Sequence, residues 1–229
     1  MTRRNAARRR VAQWAIGWVA PALIGMLVAF TLQAQPAPSR SFVATDPRTV
    51  LVVGDSLSAA YGLSASQGWV ALLDERMRRT RPGWRVVNAS VGGETSAGGE
   101  ARIVAELVRH RPSVVVIELG ANDGLRGLPL RQMRRNLARM IGAAQGIGAR
   151  VLLVGMRIPP NYGNEYAGGF ERSYRDLARR FDTALLPFLL APIAADRGNF
   201  QEDNLHPVAA AQPALRDHVW SALQPLLDE

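Results

Sequence analysis

The chain of 229 residues is long enough for one domain with a full hydrophobic core, and the absence of cysteine excludes disulfides, a thiolate nucleophile and a lipid-bearing cysteine. The net charge of +9 misleads, because six of the 28 basic residues lie in residues 1–40, and the rest of the chain carries 22 basic against 19 acidic groups. Arg131, Arg134, Arg135 and Arg139 cluster with the spacing of a solvated helix face, so we expect no nucleic-acid partner.

The N-terminal residues have the pattern of a targeting segment. Residues 2–10 are rich in arginine, residues 14–32 are apolar apart from Thr31, and small loop-forming residues follow. A basic head, an apolar run and a small-residue exit are typical of a secretory signal. We therefore predict that residues 1–40 form a signal peptide or an N-terminal membrane anchor with a short linker, and that residues 41–229 form the folded domain.

The length of the apolar run leaves two interpretations open. It exceeds the ~7–15 residues of a signal-peptide core and approaches the ~20 residues of a membrane span. Pro21 weakens a long helix and residues 32–34 offer a cleavage edge, which favours a cleaved signal. In the other interpretation, residues 11–32 anchor the protein in the inner membrane with the basic end inside. Both predict an exported domain, periplasmic or secreted.

From about Pro47 onward, apolar runs that predict β-strands alternate with periodic patterns that predict helices. The strand-like runs are residues 50–53, 86–89, 114–119, 151–155 and 184–190. The helical patterns are residues 69–79, 101–109, 130–144, 166–180 and 209–226. Strands separated by helices of this length indicate crossover units and a parallel sheet. We therefore predict an α/β fold, a three-layer α/β/α sandwich around a central five-stranded parallel sheet.

Ser56 stands where the first predicted strand ends, in the run Gly54-Asp55-Ser56-Leu57. The carboxyl ends of parallel strands form the edge at which open α/β folds bind ligands, so this serine is a candidate nucleophile. The loops after the other predicted strands should converge on the same edge. The alternative is that Ser56 caps the next helix, and a motif this short does not separate the two.

Asp203 and His206 supply a carboxylate and an imidazole three residues apart. On a helical turn they would share one face, and the carboxylate could hold one ring nitrogen while the other faces Ser56. The alternative is that Asp203 caps the last helix and His206 is a surface histidine. We expect His110 and His218 to be ordinary histidines.

Acyl transfer also needs hydrogen-bond donors aimed at the developing oxyanion. A glycine after a strand can present its backbone N–H at close range, which makes Gly93 a candidate, with Gly92 as its competitor. Asn122 carries an amide donor, although it could instead be a turn residue with positive φ. The backbone N–H of Ser56 would be the third donor. We expect Asp123 to brace its loop by hydrogen bonds.

Four blocks of the sequence resemble, in order, those of the SGNH (GDSL) hydrolases. They are Gly54-Asp55-Ser56-Leu57, Gly93, Gly120-Ala121-Asn122-Asp123 and Asp203-Asn204-Leu205-His206-Pro207. The resemblance covers about residues 48–227 and is closest to the exported multifunctional thioesterase/arylesterase/lysophospholipase subfamily. Gly92, Glu94 and Ala121 depart from the expected pattern, and none of these departures removes a catalytic group.

The resemblance implies a flavodoxin-like fold and a serine hydrolase acting on carboxylic esters or thioesters of acyl substrates. It assigns Ser56 as the nucleophile, His206 as the base and Asp203 as the residue that orients the base. It also implies an oxyanion hole formed by the Ser56 N–H, the Gly93 N–H and the Asn122 side chain. It further implies a monomer.

Residues 155–170, rich in glycine, proline and tyrosine, predict a long mobile loop that covers the site. In the resembled subfamily this loop lines an acyl-binding groove, so Tyr162 and Pro160 are candidate substrate-binding residues and medium to long acyl chains are favoured. Three alternatives remain: a carbohydrate O-acetylesterase with the same triad, a non-catalytic binding protein, and a metal-dependent phosphoesterase. We predict no metal site, because His206 has no neighbouring histidine or cysteine at metal-binding spacing, and no cofactor.

Overall fold

A computed structural model describes residues 47–228 of the chain. Its strands are β1 (Arg48–Gly54), β2 (Trp84–Asn88), β3 (Val114–Glu118), β4 (Arg150–Val154) and β5 (Ala184–Leu186). They form one sheet in the order β2-β1-β3-β4-β5, and every neighbouring pair is parallel. The predicted five-stranded parallel sheet is therefore confirmed, and its order is that of flavodoxin-like folds. The predicted targeting segment, residues 1–40, lies outside the described residues.

The central strands are buried on both faces, which explains their continuous runs of valine, leucine and isoleucine. Every residue of β3 is buried, and so is every residue of β1 after Arg48. Strands covered on both faces need no alternation of apolar and polar residues. Glu118 is the charged exception, because it places a carboxyl group at the end of a fully buried strand, in register with Gly54 of β1.

Helices form the crossovers between the strands and a layer on each face of the sheet. They are α1 (Trp69–Thr80), α2 (Ser96–His110), α3 (Ala121–Leu125), α4 (Leu130–Gly146), α5 (Asn164–Phe181) and α6 (Gln212–Leu223). Helix α1 packs against α6, whereas α4 packs against both α2 and α5. The two groups of helices enclose the sheet, so the predicted three-layer sandwich is confirmed.

Two elements are shorter than the sequence predicts because proline interrupts them. Strand β5 ends at Leu186 rather than at residue 190, since Pro187 has no N–H to donate to the ladder. The predicted helix over residues 209–226 is divided into the 3-10 turn Ala209–Ala211, then α6, then the 3-10 turn Gln224–Leu227, which contains Pro225.

Two helices begin earlier than predicted, in glycine-rich sequence that favours a loop. Helix α2 starts at Ser96, after Thr95 accepts a hydrogen bond from the Gly98 N–H as its N-cap. Helix α5 starts at Asn164, so the predicted loop of residues 155–170 is wrong in its second half. Gly169 lies so close to α4 that an added Cβ would stand 3.0 Å from Leu130 Cδ1, so the glycine serves helix packing.

The strand order places the loops after β1 and β3 at a switch point of the sheet. From β1 the chain proceeds to β2 on one side, and β3 then pairs with the other side of β1. Such a point leaves a crevice outside the carboxyl ends of the two strands. Ser56 lies in the first of these loops, and Asn122 lies in α3, directly after β3. No helix within residues 47–228 combines the length and apolarity needed to cross a membrane.

Candidate active site

A continuous chain of hydrogen bonds joins the three residues predicted as nucleophile, base and orienting acid. Nε2 of His206 lies 2.8 Å from Oγ of Ser56, although the two residues are 150 positions apart. Nδ1 of the same ring lies 2.6 Å from Oδ2 of Asp203. In this arrangement the carboxylate holds the proton on Nδ1 and leaves Nε2 able to accept the serine proton.

A tight turn rather than a helix brings Asp203 and His206 together, which corrects the expectation of a helical turn. Asn204 between them adopts a left-handed conformation with φ of 60°, which asparagine tolerates better than most residues. The turn is closed by the Gln201 N–H, which donates to the His206 carbonyl at 2.8 Å. Asp203 does not cap α6, because the chain between them passes through the 3-10 turn that begins at Ala209.

Hydrogen bonds within this turn hold the Asp203 carboxylate in its charged form. Its Oδ1 accepts hydrogen bonds from the backbone N–H groups of Leu205, at 2.9 Å, and His206, at 3.0 Å. Partial burial would raise the pKa of Asp203, but these two N–H groups and the imidazole more than offset it and lower the pKa to about 2. The acid therefore stays ionised beside the imidazole.

Ser56 is half-buried in a turn, and it caps no helix. Its carbonyl accepts a hydrogen bond from the Tyr61 N–H at 3.1 Å, which closes the turn after β1. The next helical element is a 3-10 turn, Ala65–Gln67, with Ser64 at its N-cap. The helix-capping alternative for Ser56 is therefore wrong.

The three predicted oxyanion donors differ in what they already bind. Among residues 47–228, neither the Ser56 N–H nor the Gly93 N–H donates a hydrogen bond. Gly93 has φ of 74°, a conformation that favours glycine, whereas Gly92 does not have positive φ. Asn122 Nδ2 donates to Asp55 Oδ2 at 3.2 Å and to the Glu94 carbonyl at 3.1 Å. The positive-φ alternative for Asn122 is wrong, because the left-handed residue here is Gly120.

Asp123 braces the loop, as predicted. Its carboxylate accepts hydrogen bonds from the backbone N–H of Ser96 at 2.7 Å and from the Ser96 hydroxyl at 2.6 Å. Asn136 of α4 donates to the same hydroxyl at 3.1 Å. This buried network joins the start of α2 to α3 and α4, and so holds the segment that carries Asn122.

Two buried carboxyl groups beside the nucleophile were not assigned from the sequence. Glu118 Oε2 accepts a hydrogen bond from the Ser58 hydroxyl at 2.7 Å, and Asp55 Oδ1 accepts one from the Leu57 N–H at 3.0 Å. Burial raises the pKa of Asp55 to about 6, against the lowering effect of its hydrogen bonds to Leu57 and Asn122. Burial, and then the nearby Asp55 charge, raise the pKa of Glu118 well above its usual range. The sequence signal was a glutamate at the end of an otherwise apolar strand.

A small cavity of about 100 Å³ lies in front of the serine. Leu57, Ala121, Leu125 and Leu205 form its apolar walls, together with the polar residues Asp55, Ser56, Asn122 and His206. This cavity is large enough for the reacting group of an ester, and three of the five predicted site residues, Ser56, Asn122 and His206, line it. Gly93 and Asp203 do not line it.

Neither of the two candidate substrate-binding residues lines this cavity. Pro160 begins the short 3-10 turn Pro160–Tyr162. Tyr162 lines a separate, wider cavity of about 580 Å³, and its hydroxyl donates to the Leu125 carbonyl at 2.8 Å. Leu125 lines the cavity at Ser56, so Tyr162 contacts one wall residue of that cavity.

The other histidines have ordinary partners, as expected. His110 Nε2 lies 3.2 Å from Glu106 Oε2, one turn earlier on α2. His218 Nε2 lies 3.1 Å from the carbonyl of Phe188. Neither residue lines the cavity at Ser56.

Comparisons with known proteins identify the family of this chain. Residues 52–213 match the sequence model of the GDSL-like lipase/acylhydrolase family. The chain is 52% identical to the esterase TesA of Pseudomonas aeruginosa over 180 residues, which is 79% of this chain and 90% of that protein. It is 40% identical to the thioesterase 1/protease 1/lysophospholipase L1 of Escherichia coli over 188 residues, 82% of this chain and 89% of that one.

A solved structure extends the likeness to the fold. The psychrotrophic esterase EstA from Pseudoalteromonas sp., inhibited by monoethylphosphonate, superposes with a TM-score of 0.76 at 39% identity. The match covers 80% of this chain and the whole of that one. The fold of this chain is therefore one that a solved esterase shares.

Proposed function

The chain belongs to the GDSL-like lipase/acylhydrolase family and is an ester-hydrolysing enzyme, and on this premise we propose that Ser56, His206 and Asp203 perform the hydrolysis. The hydrogen-bonded line from Asp203 through His206 to Ser56 is the observation that carries the proposal. A serine hydroxyl is a weak nucleophile until a neighbouring base removes its proton, and here the base lies at hydrogen-bonding distance.

In the proposed reaction, Ser56 Oγ attacks the carbonyl carbon of an ester or thioester as its proton passes to Nε2 of His206. The carbonyl oxygen becomes an oxyanion. His206 then gives that proton to the departing alcohol or thiol, which leaves an acyl group on Ser56. A water molecule, deprotonated by His206, attacks the acyl-serine, and the returning proton releases the carboxylic acid and the free serine.

The oxyanion is proposed to bind the Ser56 N–H, the Gly93 N–H and the Asn122 amide. The two backbone donors are unused within residues 47–228, so they are available to an incoming oxygen without breaking another bond. Asn122 differs, because its two N–H bonds already point at Asp55 and the Glu94 carbonyl. One of these contacts must be exchanged for the oxyanion, or shared with it.

Covalent labelling with a fluorophosphonate tests the nucleophile directly. We expect the full-length protein and a Ser66→Ala variant to be labelled on Ser56, and a Ser56→Ala variant to remain unlabelled and inactive. Ser66 is a suitable control because it is an exposed serine of the 3-10 turn Ala65–Gln67, which follows the turn that carries Ser56. A folded wild-type protein that stays unlabelled would favour the non-catalytic binding protein instead.

The proposed substrates are acyl esters and thioesters with medium to long chains. The named activities of the relatives, thioesterase and lysophospholipase among them, support this class. The cavity of about 580 Å³ beside Tyr162 offers space beyond the reacting group. The small cavity at Ser56, about 100 Å³, instead favours an acetyl group and thus a carbohydrate O-acetylesterase.

A series of p-nitrophenyl esters from acetate to hexadecanoate separates these two substrate classes. We expect kcat/KM to rise from acetate toward the medium chains, because each methylene that enters an apolar groove adds about 0.8 kcal/mol of binding. A sharp maximum at acetate would instead identify the O-acetylesterase.

We also propose that the protein acts outside the cytoplasm as a monomer, with residues 1–40 as its export signal or anchor. Support comes from the basic and apolar pattern of those residues. Fractionation of cells expressing the full chain, with N-terminal sequencing of the product, tests it. Recovery of an uncleaved chain in the soluble cytoplasm would contradict the proposal, and size-exclusion chromatography tests the monomer.

A further inference from the structure

Arg126 connects the two loops that supply the proposed oxyanion donors Gly93 and Asn122. It directly follows α3, and its backbone N–H donates to the Asn122 carbonyl at 3.2 Å. Its side chain reaches the other loop, where Nη2 donates to the Gly93 carbonyl at 3.0 Å. The two donors follow different strands, β2 and β3, and Arg126 forms a hydrogen bond with both residues.

The loop that carries Gly93 is exposed and rich in glycine. Residues 91–93 are all exposed, and the Glu94 N–H donates to the Val91 carbonyl at 3.2 Å, which closes a turn around Gly92 and Gly93. Two adjacent glycines tolerate both signs of φ, so such a turn keeps wide backbone freedom unless other contacts hold it. Among the hydrogen bonds of residues 47–228, the one from Arg126 is the only one that Gly93 forms.

The residues on either side of the two glycines are anchored separately. The Val91 N–H donates at 3.0 Å to the last carbonyl of β1. The Glu94 carboxylate accepts a hydrogen bond from Nε of Arg102 in α2 at 2.8 Å, and the Glu94 carbonyl accepts one from Asn122 Nδ2 at 3.1 Å. The glycine pair between these anchors therefore depends on Arg126 for its position.

The contact between Arg126 and Gly93 gains importance when the oxyanion forms. The oxyanion competes for the Asn122 amide, which binds the Glu94 carbonyl in the resting site. Where Asn122 gives up that bond, the hydrogen bond from Arg126 still ties the turn to the segment after β3. A misplacement of about 1 Å can cost on the order of 10²-fold in rate, so a free turn would weaken catalysis.

The chemistry of the arginine suits this task. Arg126 is exposed, and it forms no ion pair with an acid in the part of the chain that the structure describes. Its hydrogen bond to Gly93 therefore has no competing carboxylate. A guanidinium that donates to a carbonyl forms a charge-assisted hydrogen bond, which is stronger than one between neutral groups.

We propose that Arg126 is a positioning residue for the hydrolysis, because its hydrogen bond to the Gly93 carbonyl holds the Gly93 N–H at the oxyanion. The inference rests on the proposed function, since it requires Gly93 to be an oxyanion donor. Arg126 does not line the cavity at Ser56, so it acts through Gly93. Because the oxyanion exists only after the substrate has bound, its effect belongs to kcat rather than to KM.

An Arg126→Ala variant tests the proposal, with Arg139→Ala as the matched control. Arg139 is an exposed arginine of α4 that pairs with Glu100 at 3.2 Å. The substrate is p-nitrophenyl butanoate, which is uncharged, so a direct contact between the guanidinium and a substrate charge cannot contribute. The measured quantities are kcat, KM, Tm and the inhibition constant of butylboronic acid, which forms an anionic tetrahedral adduct with a reactive serine.

We expect Arg126→Ala to lower kcat about 10- to 100-fold, with KM within about threefold of the wild type and Tm unchanged. The inhibition constant of the boronic acid should rise by about the same factor as kcat falls, because the adduct needs the same donors as the transition state. The control should stay within about twofold in kcat, since it removes only a surface ion pair.

A kcat of Arg126→Ala within about threefold of the wild type would overturn the proposal. An unchanged inhibition constant would also overturn it, whatever happens to kcat or KM, and this constant does not depend on how much of the variant is folded. An Asn122→Ala variant assayed in parallel separates the two levels of inference. If only that variant loses activity, the role of Arg126 alone is refuted, whereas normal kcat in both variants refutes the oxyanion hole of the proposed function.

Discussion

The ring of Tyr61 lies against the imidazole of His206, with 4.3 Å between the ring centroids and 33° between their planes. Tyr61 is 57% exposed, so it covers one face of the imidazole from the solvent side without belonging to the core. Its carbonyl accepts a hydrogen bond from Gln201 Nε2 at 2.9 Å, which joins the turn after β1 to the turn that carries His206. The aromatic contact therefore helps to keep the histidine in line with Ser56.

Replacing Tyr61 by alanine should lower kcat/KM without unfolding the protein. Aromatic pairs contribute about 0.5–1.5 kcal/mol beyond their buried area, so we expect a loss of roughly two- to tenfold on a p-nitrophenyl ester. Tyr61→Phe keeps the ring and should retain nearly full activity. An equal loss in both variants would show that the hydroxyl, not the ring, matters.

The Asn122→Ala variant should lose kcat by about 10²–10³-fold, the usual effect of removing one oxyanion donor. Its melting temperature should change little, because the lost side chain is only half-buried. Asn136→Ala provides the contrast, since that buried amide donates to Ser96 Oγ and should affect stability more than kcat. Near-normal kcat in Asn122→Ala would remove Asn122 from the oxyanion hole.

The Asp203→Asn variant should keep its turn but lose activity. The asparagine oxygen can still accept from the Leu205 and His206 N–H groups, whereas its amide cannot hold the proton on Nδ1 of His206. We expect a drop in kcat on the order of 10⁴-fold, as for other triads that lose the orienting charge.

The carboxyl group of Asp203 should change its ionisation only far below neutral pH. Because its pKa is lowered to about 2, its ionisation stabilises the fold above the unfolded value of about 3.9 and is lost as pH falls through about 2. A profile of kcat against pH should therefore show the Asp203→Asn variant impaired at every pH from about 5 to about 9. Recovery of activity at either end would contradict an orienting role.

Glu118→Gln should make thermal stability less sensitive to pH. Burial raises the pKa values of Asp55 and Glu118, so the folded state binds more protons than the unfolded chain does. Stability then falls as pH rises, beginning near pH 4 and continuing beyond about 6. Glutamine mimics the protonated acid, so Tm between about pH 5 and about pH 9 should decline less steeply than in the wild type.

A second Glu→Gln variant provides the control for the Glu118→Gln measurement. Glu100→Gln removes a half-buried acid that pairs with Arg139 at 3.2 Å, and its Tm profile should follow the wild type. A Glu118→Gln profile as steep as that of the wild type would show that Glu118 is already ionised in the fold.

Much of the fold follows from local patterns in the chain. The apolar runs predicted all five strands, since strands covered on both faces need apolar side chains throughout. The predicted bounds of α5 and β5 were wrong, because in each case another influence outweighed the local pattern. Gly168 and Gly169 suggested a loop, yet they lie inside α5, where an added Cβ on Gly169 would crowd Leu130. Pro187 ended β5 early, although apolar residues continue beyond it.

The residues of the site also fall into those that the sequence predicted and those that only the structure revealed. Ser56, Asp203 and His206 were predicted because their residue types and motif positions are visible in the sequence. The pairing of Asp55 with Glu118 was not predicted, because it depends on the register that places Gly54 beside Glu118 in neighbouring strands. Likewise, the turn at Asn204 replaced the expected helical turn, since a single left-handed residue leaves no periodic signal.

The amino-acid order alone determined which residues form strands and which reactive groups stand at strand ends, because those properties depend on neighbours along the chain. Only the folded structure decided that His206 meets Ser56, and that two carboxyl groups share a buried space. The physical reason is that hydrogen bonds, burial and charge repulsion act over a few ångströms of space, whatever the separation in sequence.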